Sequence, residues 1–168
     1  MKILQLYDDL DRPDLVRHEE RSPSIRSLDM IQYIVPHHTG DWITDFNRHA
    51  RYHVDRKGWA ALGYHLFDDG TGPAVSRELY EIGAHVKNFN THSVGVCIPG
   101  NFNQRPPTDK EYWQWINMIL IVETKLGRTL TVKLHSQMTA TTCPGRNFNV
   151  QYFIEHLNSI RQLYHAWH

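Results

Sequence analysis

Short apolar runs separated by stretches of helical periodicity dominate the chain. Four runs rich in β-branched or aromatic residues predict strands, at residues 31–35, 62–67, 73–77 and 93–98. The first run stops at Pro36, and the third is the return arm of a hairpin because the Asp68-Asp69-Gly70 turn precedes it. The fourth is apolar at nearly every position, which is typical of a central buried strand.

Apolar residues at helical spacing predict three helices. In the first, they recur from Trp42 to His53, and Gly58 closes the helix. The second extends from Asp109 to about Lys125. The third carries one apolar stripe, formed by Val150, Phe153, Ile154, Leu157, Ile160, Tyr164 and Trp167.

The order of these elements predicts the fold class. A capping box starts the second helix, because Glu111 follows Thr108 at the spacing that such boxes require. Strands separated by helices predict an α/β fold with a central mixed β-sheet covered by about three α-helices. Residues 1–30 mix charged pairs, prolines and serines, and we expect them to form an N-terminal extension packed on the main body.

Composition narrows the function classes. The 168 residues, 40% of them apolar, fit one domain with an ordinary core. Lys and Arg (18) balance Asp and Glu (18), which disfavours a nucleic-acid partner, since phosphate binding usually needs a basic surplus. No apolar run reaches the roughly 18–20 residues of a membrane span, and the first residues do not form a signal peptide. We therefore expect cytoplasmic synthesis and no membrane partner.

The 12 histidines raise the question of a metal site, since histidine is the commonest metal ligand. His37 and His38 follow the first predicted strand, and His135 and Cys143 bracket a polar loop. Two imidazoles and a thiolate without an obvious fourth ligand fit a catalytic zinc site, which keeps one position open. The residue types alone also allow ordinary loop histidines and a small buried cysteine. A Cys97–Cys143 disulfide is disfavoured because a secretory signal is missing.

Four segments in a fixed order carry a resemblance to a known family. They are VPHHT at 35–39, GWAALGYHL at 58–66, GAHVKNFNTHSVGV at 83–96, and the segment from His135 to Cys143-Pro144-Gly145. Through them the chain resembles the zinc-dependent N-acetylmuramoyl-L-alanine amidases of the T7 lysozyme type, which share their fold with peptidoglycan recognition proteins. The resemblance implies a zinc amidase catalytic domain over residues 31–168.

The resemblance implies a metal site and a catalytic residue. His37, His135 and Cys143 would hold Zn²⁺. His37 is preferred to His38 because it aligns with the family's histidine, and neighbouring residues of an extended segment point to opposite sides. His38 stays open as the alternative ligand. Tyr64 matches the family's catalytic tyrosine, and its alternative is a half-buried strand aromatic.

Further positions match the family with weaker support. Thr141, two residues before Cys143, lies where T7 lysozyme carries a lysine, and it is implied as a catalytic hydroxyl donor. Its alternative is a hydroxyl that stabilises the loop. For one of the groove positions, His53, a core place on the first helix is the alternative. The family positions that line a peptide-binding groove correspond to His53, Lys57, His85 and Asn90.

The implied activity is hydrolysis of the amide bond between N-acetylmuramic acid and L-alanine by zinc-activated water. The implied partner is bacterial peptidoglycan, and we expect a monomer that acts on the cell wall after release, as a phage endolysin does. A non-catalytic peptidoglycan-recognition module remains open. So does a cytosolic muropeptide-recycling amidase, although such relatives carry aspartate at the position of Cys143. RNA polymerase binding is implied only by analogy with T7 lysozyme.

Overall fold

The computed structural model describes the backbone of residues 5–167 and the side chains of residues 5–164. Its sheet has the spatial strand order β3-β2-β4-β1-β5. The strands are β1 (Tyr33–His38), β2 (Leu66–Asp68), β3 (Pro73–Val75), β4 (Ser93–Ile98) and β5 (Thr131–Val132). β3 pairs antiparallel with β2, and the other neighbouring strands are parallel. The predicted mixed sheet is thereby confirmed.

Helices cover this sheet, which confirms the predicted α/β class. They are α1 (Phe46–Arg51), α2 (Asp109–Leu126), α3 (His135–Met138) and α4 (Val150–Trp167). A π-helical turn over Tyr52–Arg56 follows α1 directly. Within residues 5–167, no helix combines the length and apolar character of a membrane span.

The main core lies between β4 and the two long helices. Every residue of β4 is buried, as expected for a central strand. The predicted capping box of α2 is present, with Glu111 N donating to Thr108 Oγ1. On α4, Phe153 and Leu157 of the predicted stripe are buried in the same core. The side chain of Trp167, also assigned to that stripe, lies outside the described residues.

The first strand is longer than predicted. We expected it to stop at Pro36, but β1 continues through Pro36 to His38. Proline lacks the N–H that a strand interior needs, so it is tolerated where the ladder is open. Here β5 pairs only with Tyr33 and Ile34 of β1. The backbone of Pro36 faces the same edge as that of Ile34, and beyond Ile34 no strand of the described residues pairs with this edge. The extension places two histidines inside the strand end.

Three other predicted elements are shorter than expected. The strand predicted at 73–77 covers only Pro73–Val75. Trp42 lies before α1 rather than in it, because Asp45 caps the helix by accepting the N–H groups of Asn47 and Arg48. The segment 62–65 is bent, and only Leu66–Asp68 is strand. Apolar composition alone cannot distinguish a buried bend from a strand, which explains this error.

Residues 5–30 pack along the main body and support the segment that leads into β4. Val16 N donates to Asn47 Oδ1, and His18 N donates to Ala60 O. Arg26 is buried, and burial lowers the pKa of its guanidinium to about 10. This guanidinium donates to four backbone carbonyls, those of Leu79, Asn90, Thr91 and Ser93. The N-terminal segment thus holds the backbone between β3 and β4 in place.

Candidate metal centre

The end of β1 presents its two histidines to opposite sides. His37 is buried, and Trp115 Nε1 of α2 donates to its carbonyl at 2.9 Å. His38 faces away: its Nδ1 accepts the Phe102 N–H at 3.2 Å, and the two rings stack. Successive side chains of a strand point to opposite faces of the sheet, so His37 and His38 have different neighbours.

His135 and Cys143 reach the same place from the loop after β5. His135 is the first residue of α3. Ser136 N donates to Cys143 O at 2.9 Å, which closes the intervening loop. Gly145 has a φ of 126°, and a Cβ there would lie 2.5 Å from Phe102 Cβ. Only glycine allows the chain after Cys143 to pack so closely against Phe102.

These three side chains converge. Among the described residues, His37, His135 and Cys143 form the group of His, Cys, Asp or Glu that could hold a metal ion, with one ligand atom from each within 4.8 Å of the others. Cys143 Sγ lies 3.5 Å from His37 Nδ1. Two zinc bonds, to sulfur and to nitrogen, add up to about 4.3 Å, so one ion can bridge these two atoms.

The donor set has the chemistry of a zinc site. His135 Nδ1 is the buried side-chain nitrogen or oxygen that finds no hydrogen-bond partner within the described part of the chain. Such a buried atom costs free energy unless a partner satisfies it. Burial raises the pKa of the Cys143 thiol to about 12, and burial lowers the pKa of His37. A bound cation offsets the first effect, because it deprotonates a coordinating thiol. The residues present therefore fit zinc.

A cavity of about 290 Å³, which we call the metal cavity, is lined by these three side chains. Tyr64 lines it, and the Tyr64 and His37 ring centroids are 5.2 Å apart. Burial raises the pKa of Tyr64, so its phenol stays protonated and can donate a hydrogen bond. A second cavity of about 260 Å³ shares Thr39, His53 and Tyr64 with the first, so the two adjoin, and we refer to them together as the groove.

Comparison with known proteins identifies the family. The family model described as N-acetylmuramoyl-L-alanine amidase matches residues 27–146, which include His37, Tyr64, His135 and Cys143. The chain belongs to the N-acetylmuramoyl-L-alanine amidase family. This match covers most of the chain and confirms the resemblance found in its motifs.

Three relatives illustrate the range of this amidase family. Peptidoglycan-recognition protein SC2 of Drosophila melanogaster is 29% identical over 129 residues, which are 70% of this chain and 70% of that protein. The endolysin of Escherichia phage T7 is 26% identical over 104 residues, which are 58% of this chain and 68% of the endolysin. The solved structure of N-acetylmuramoyl-L-alanine amidase LysC from Clostridium intestinale URNW is 27% identical, with a TM-score of 0.70, and covers 87% of this chain and 98% of that one.

The structure brings most of the predicted site residues of this amidase to the groove. Thr141 lines the metal cavity, where its Oγ1 accepts the Cys143 N–H at 3.2 Å. His53 and His85 also line that cavity. His53 Nδ1 accepts the Gly63 N–H at 3.0 Å, which fixes its ring. Their roles toward a substrate stay predictions.

Two predicted groove residues lie outside the cavity lining. Lys57 is exposed, and its ammonium lies 5.6 Å from the centroid of the Tyr52 ring. Asn90 is engaged by the backbone, because its Oδ1 accepts the N–H groups of His85 and Val86. Asn90 therefore shapes the turn that carries His85. Contact of either side chain with a peptide stays a prediction.

Several groove residues escaped the sequence reasoning. Trp59 lines the metal cavity, with its ring 4.6 Å from that of His53. The second cavity adds Asp41, Ile43, Arg48, His49 and Tyr52. Trp59 lies inside the GWAALGYHL motif, which was the available signal. The two cysteines, Cys97 and Cys143, are both free, so the structure contains no bond between them.

Proposed function

We propose that this protein hydrolyses the amide bond between N-acetylmuramic acid and L-alanine in bacterial peptidoglycan, with Zn²⁺ held by His37, His135 and Cys143. The observation that carries the proposal is the convergence of these three donors beside Tyr64 at the floor of an open groove. Membership of the amidase family supports the reaction. The names of its relatives, endolysin and peptidoglycan-recognition protein, support the cell wall as the substrate and place of action.

Each residue at the floor of the groove has a distinct task. Zinc, when bound, supplies a Lewis acid for a carbonyl oxygen and a water nucleophile at neutral pH. His37, His135 and Cys143 would hold the ion beside the cavity that would receive the substrate. On metal binding the Cys143 thiol would lose its proton, and the resulting thiolate would give the set one negative charge that binds the cation firmly.

Tyr64 serves the reacting carbonyl. Its phenol keeps its proton because burial raises its pKa, and a hydrogen bond to Cys97 adds to this effect. In this role the O–H would leave Cys97 and donate to the oxygen that gains charge as the amide is attacked. Thr141 Oγ1 already accepts the Cys143 N–H, so the hydroxyl proton of Thr141 is the part that can reach a substrate. We assign the larger share to Tyr64, because its ring centroid lies 5.2 Å from that of the proposed ligand His37.

A peptidoglycan-recognition module without catalysis is the second candidate. The similarity to peptidoglycan-recognition protein SC2 favours it, because that name describes binding rather than cleavage. Cys143 argues for the enzyme, since the third ligand of a metal centre serves no purpose in a groove that only binds. The muropeptide-recycling alternative is weakened by the same residue, because such relatives carry aspartate there.

Product analysis tests the proposal. Purified peptidoglycan is digested with zinc-loaded protein, and mass spectrometry follows the released fragments. We expect stem peptides with a free L-alanine amino terminus and glycan strands with intact N-acetylmuramic acid. A binding module would release no new amino termini. Cleavage of a sugar–sugar bond or of a bond within the peptide would also contradict the proposal.

A pair of cysteine variants provides the matched control. Cys143→Ala should lose stoichiometric zinc and all release of L-alanine amino termini. Cys97→Ala should retain zinc, because Cys97 is also buried and free but does not belong to the ligand group. Equal zinc contents in the two variants would show that Cys143 is not a ligand.

A further inference from the structure

His85 lies directly behind His37 and has both ring nitrogens occupied. Its Nδ1 is 2.8 Å from His37 Nε2, and its Nε2 is 3.3 Å from Ser93 Oγ. Ser93 Oγ in turn donates to the Phe89 carbonyl at 2.8 Å. His85 is only 7% exposed, although it borders the cavity. A substrate could form a hydrogen bond with a ring nitrogen of His85 only if one of these contacts were broken.

The Phe89 carbonyl fixes the direction of the whole chain of hydrogen bonds. A carbonyl can only accept, so the single hydroxyl proton of Ser93 points to Phe89. Ser93 Oγ must then accept a hydrogen bond from the N–H of His85 Nε2. A neutral His85 with its proton on Nε2 has a lone pair on Nδ1, which accepts the N–H of His37 Nε2. This leaves the lone pair of His37 on Nδ1, the atom that faces Cys143 Sγ.

The structure is built to hold the His85 ring in this position. A Cβ on Gly95 would lie 2.8 Å from His85 Nδ1, and a Cβ on Gly83 would lie 2.6 Å from His85 Cδ2. Both glycines therefore make room for the ring.

We propose that His85 is a positioning residue that fixes the tautomer and orientation of His37, so that His37 Nδ1 is presented to the metal. This inference rests on the proposed function, and it gives His85 a role behind the metal rather than in substrate contact. Partners of this kind orient metal-ligating histidines, and their loss typically lowers metal affinity by about 10–100-fold. Ser93 and the Phe89 carbonyl form the anchor of this arrangement.

Three substitutions of His85 test the role through the position of one acceptor atom. In His85→Asn, the amide oxygen can take the place of Nδ1 and accept from His37. In His85→Gln, the same amide reaches the place of Nε2 and leaves His37 without an acceptor. His85→Leu offers no acceptor at either place. The zinc affinity of each variant is measured by competition with a chelator, and unfolding in excess chelator reports the stability of the metal-free fold.

The expected order of zinc affinity separates positioning from packing. We expect His85→Asn to stay within a few-fold of the wild type, and His85→Gln and His85→Leu to lose about 10–100-fold. Ser93→Ala, which removes the acceptor for Nε2, should lose a few-fold. If Asn and Gln variants bound zinc equally, or if His85→Leu matched the wild type, the positioning role would be wrong. A wild-type protein that bound no zinc would instead overturn the proposed function, and this role with it.

Discussion

Two clefts of this molecule differ in size and in chemistry, and the smaller one holds the candidate site. A cleft of about 430 Å³ lies between the N-terminal segment and the start of α1, lined by four aspartates: Asp11, Asp14, Asp45 and Asp69. The metal cavity measures about 290 Å³ and is lined by histidines, Tyr64 and Cys143. Volume alone would favour the acidic cleft.

The difference lies in how the polar atoms are used. In the acidic cleft, Asp45 Oδ1 caps α1, and Asp69 Oδ1 accepts from the N–H and hydroxyl of Thr71. These carboxylates stabilise local turns. In the metal cavity, His135 Nδ1 is buried without a partner among the described side chains, and Cys143 is a buried thiol whose pKa burial raises to about 12. Groups that the fold leaves unsatisfied indicate a ligand better than an open volume does.

The largest expected effect comes from the two neighbouring histidines of β1. His37→Asn should abolish zinc binding and reduce turnover to background, because an amide is a poor substitute for an imidazole ligand. His38→Asn should retain zinc, since its amide oxygen can still accept the Phe102 N–H that His38 Nδ1 accepts now. Zinc content and L-alanine release are measured on both variants.

The acidic cleft provides the control for this pair. Asp69→Asn keeps the oxygen that accepts from Thr71 and removes only the charge, so we expect turnover to change by less than about twofold, as for surface substitutions in general. Loss of zinc from His38→Asn but not from His37→Asn would mean that the other histidine is the ligand. Loss of activity from Asp69→Asn would show that the acidic cleft contributes to the reaction.

Tyr64→Phe tests the chemistry of the groove apart from its metal. Removing one donor to a developing oxyanion typically lowers kcat by about 10²–10³, and we expect a loss in that range with zinc content unchanged. Steady-state kinetics and metal analysis on the same preparation measure both. Nearly wild-type turnover would show that the phenol takes no part in the reaction.

The smallest effect concerns stability at acid pH, measured in chelator so that zinc does not contribute. Burial lowers the pKa of His53 to about 4, against about 6.5 in an unfolded chain. The neutral form is favoured in the folded state, so its contribution is complete above pH 6.5 and is lost as the pH falls toward 4. Between pH 7.5 and 5.5 this should cost about 1 kcal/mol of the free energy of unfolding.

His53→Asn should remove that share of the pH dependence. Its amide oxygen can still accept the Gly63 N–H, so the fold loses little else. Denaturant unfolding of both proteins at the two pH values gives the comparison. An unchanged difference between the two pH values would show that His53 titrates as an exposed histidine does.

Local patterns sufficed for the elements whose signals are local. The Thr108 capping box and the apolar run of β4 depend on spacing along the chain, and the structure contains both. Of the predicted stripe of α4, Phe153 and Leu157 are buried, whereas Val150 is exposed at the start of the helix. The prediction that the first strand ends at Pro36 was wrong, because the end depends on whether a neighbouring strand pairs with β1 at that point. The strand predicted before Leu66 was wrong, because a buried loop and a buried strand use the same residue types.

The site was predictable only in part for the same reason. Motif order identified His37, Tyr64, His135 and Cys143, because each lies in a recognisable segment. The role of His85 depends on a 2.8 Å contact with a residue 48 positions away. The spacing of residues along the sequence does not reveal such a contact. The role of His85 therefore emerges only from the three-dimensional structure.

Anomalous diffraction at the zinc absorption edge tests the central claim most directly. Crystals of the zinc-loaded protein should show one strong anomalous peak within bonding distance of His37, His135 and Cys143, at about 2.0–2.3 Å from each ligand atom. A peak among the aspartates of the larger cleft, with no peak at the three proposed ligands, would contradict the account.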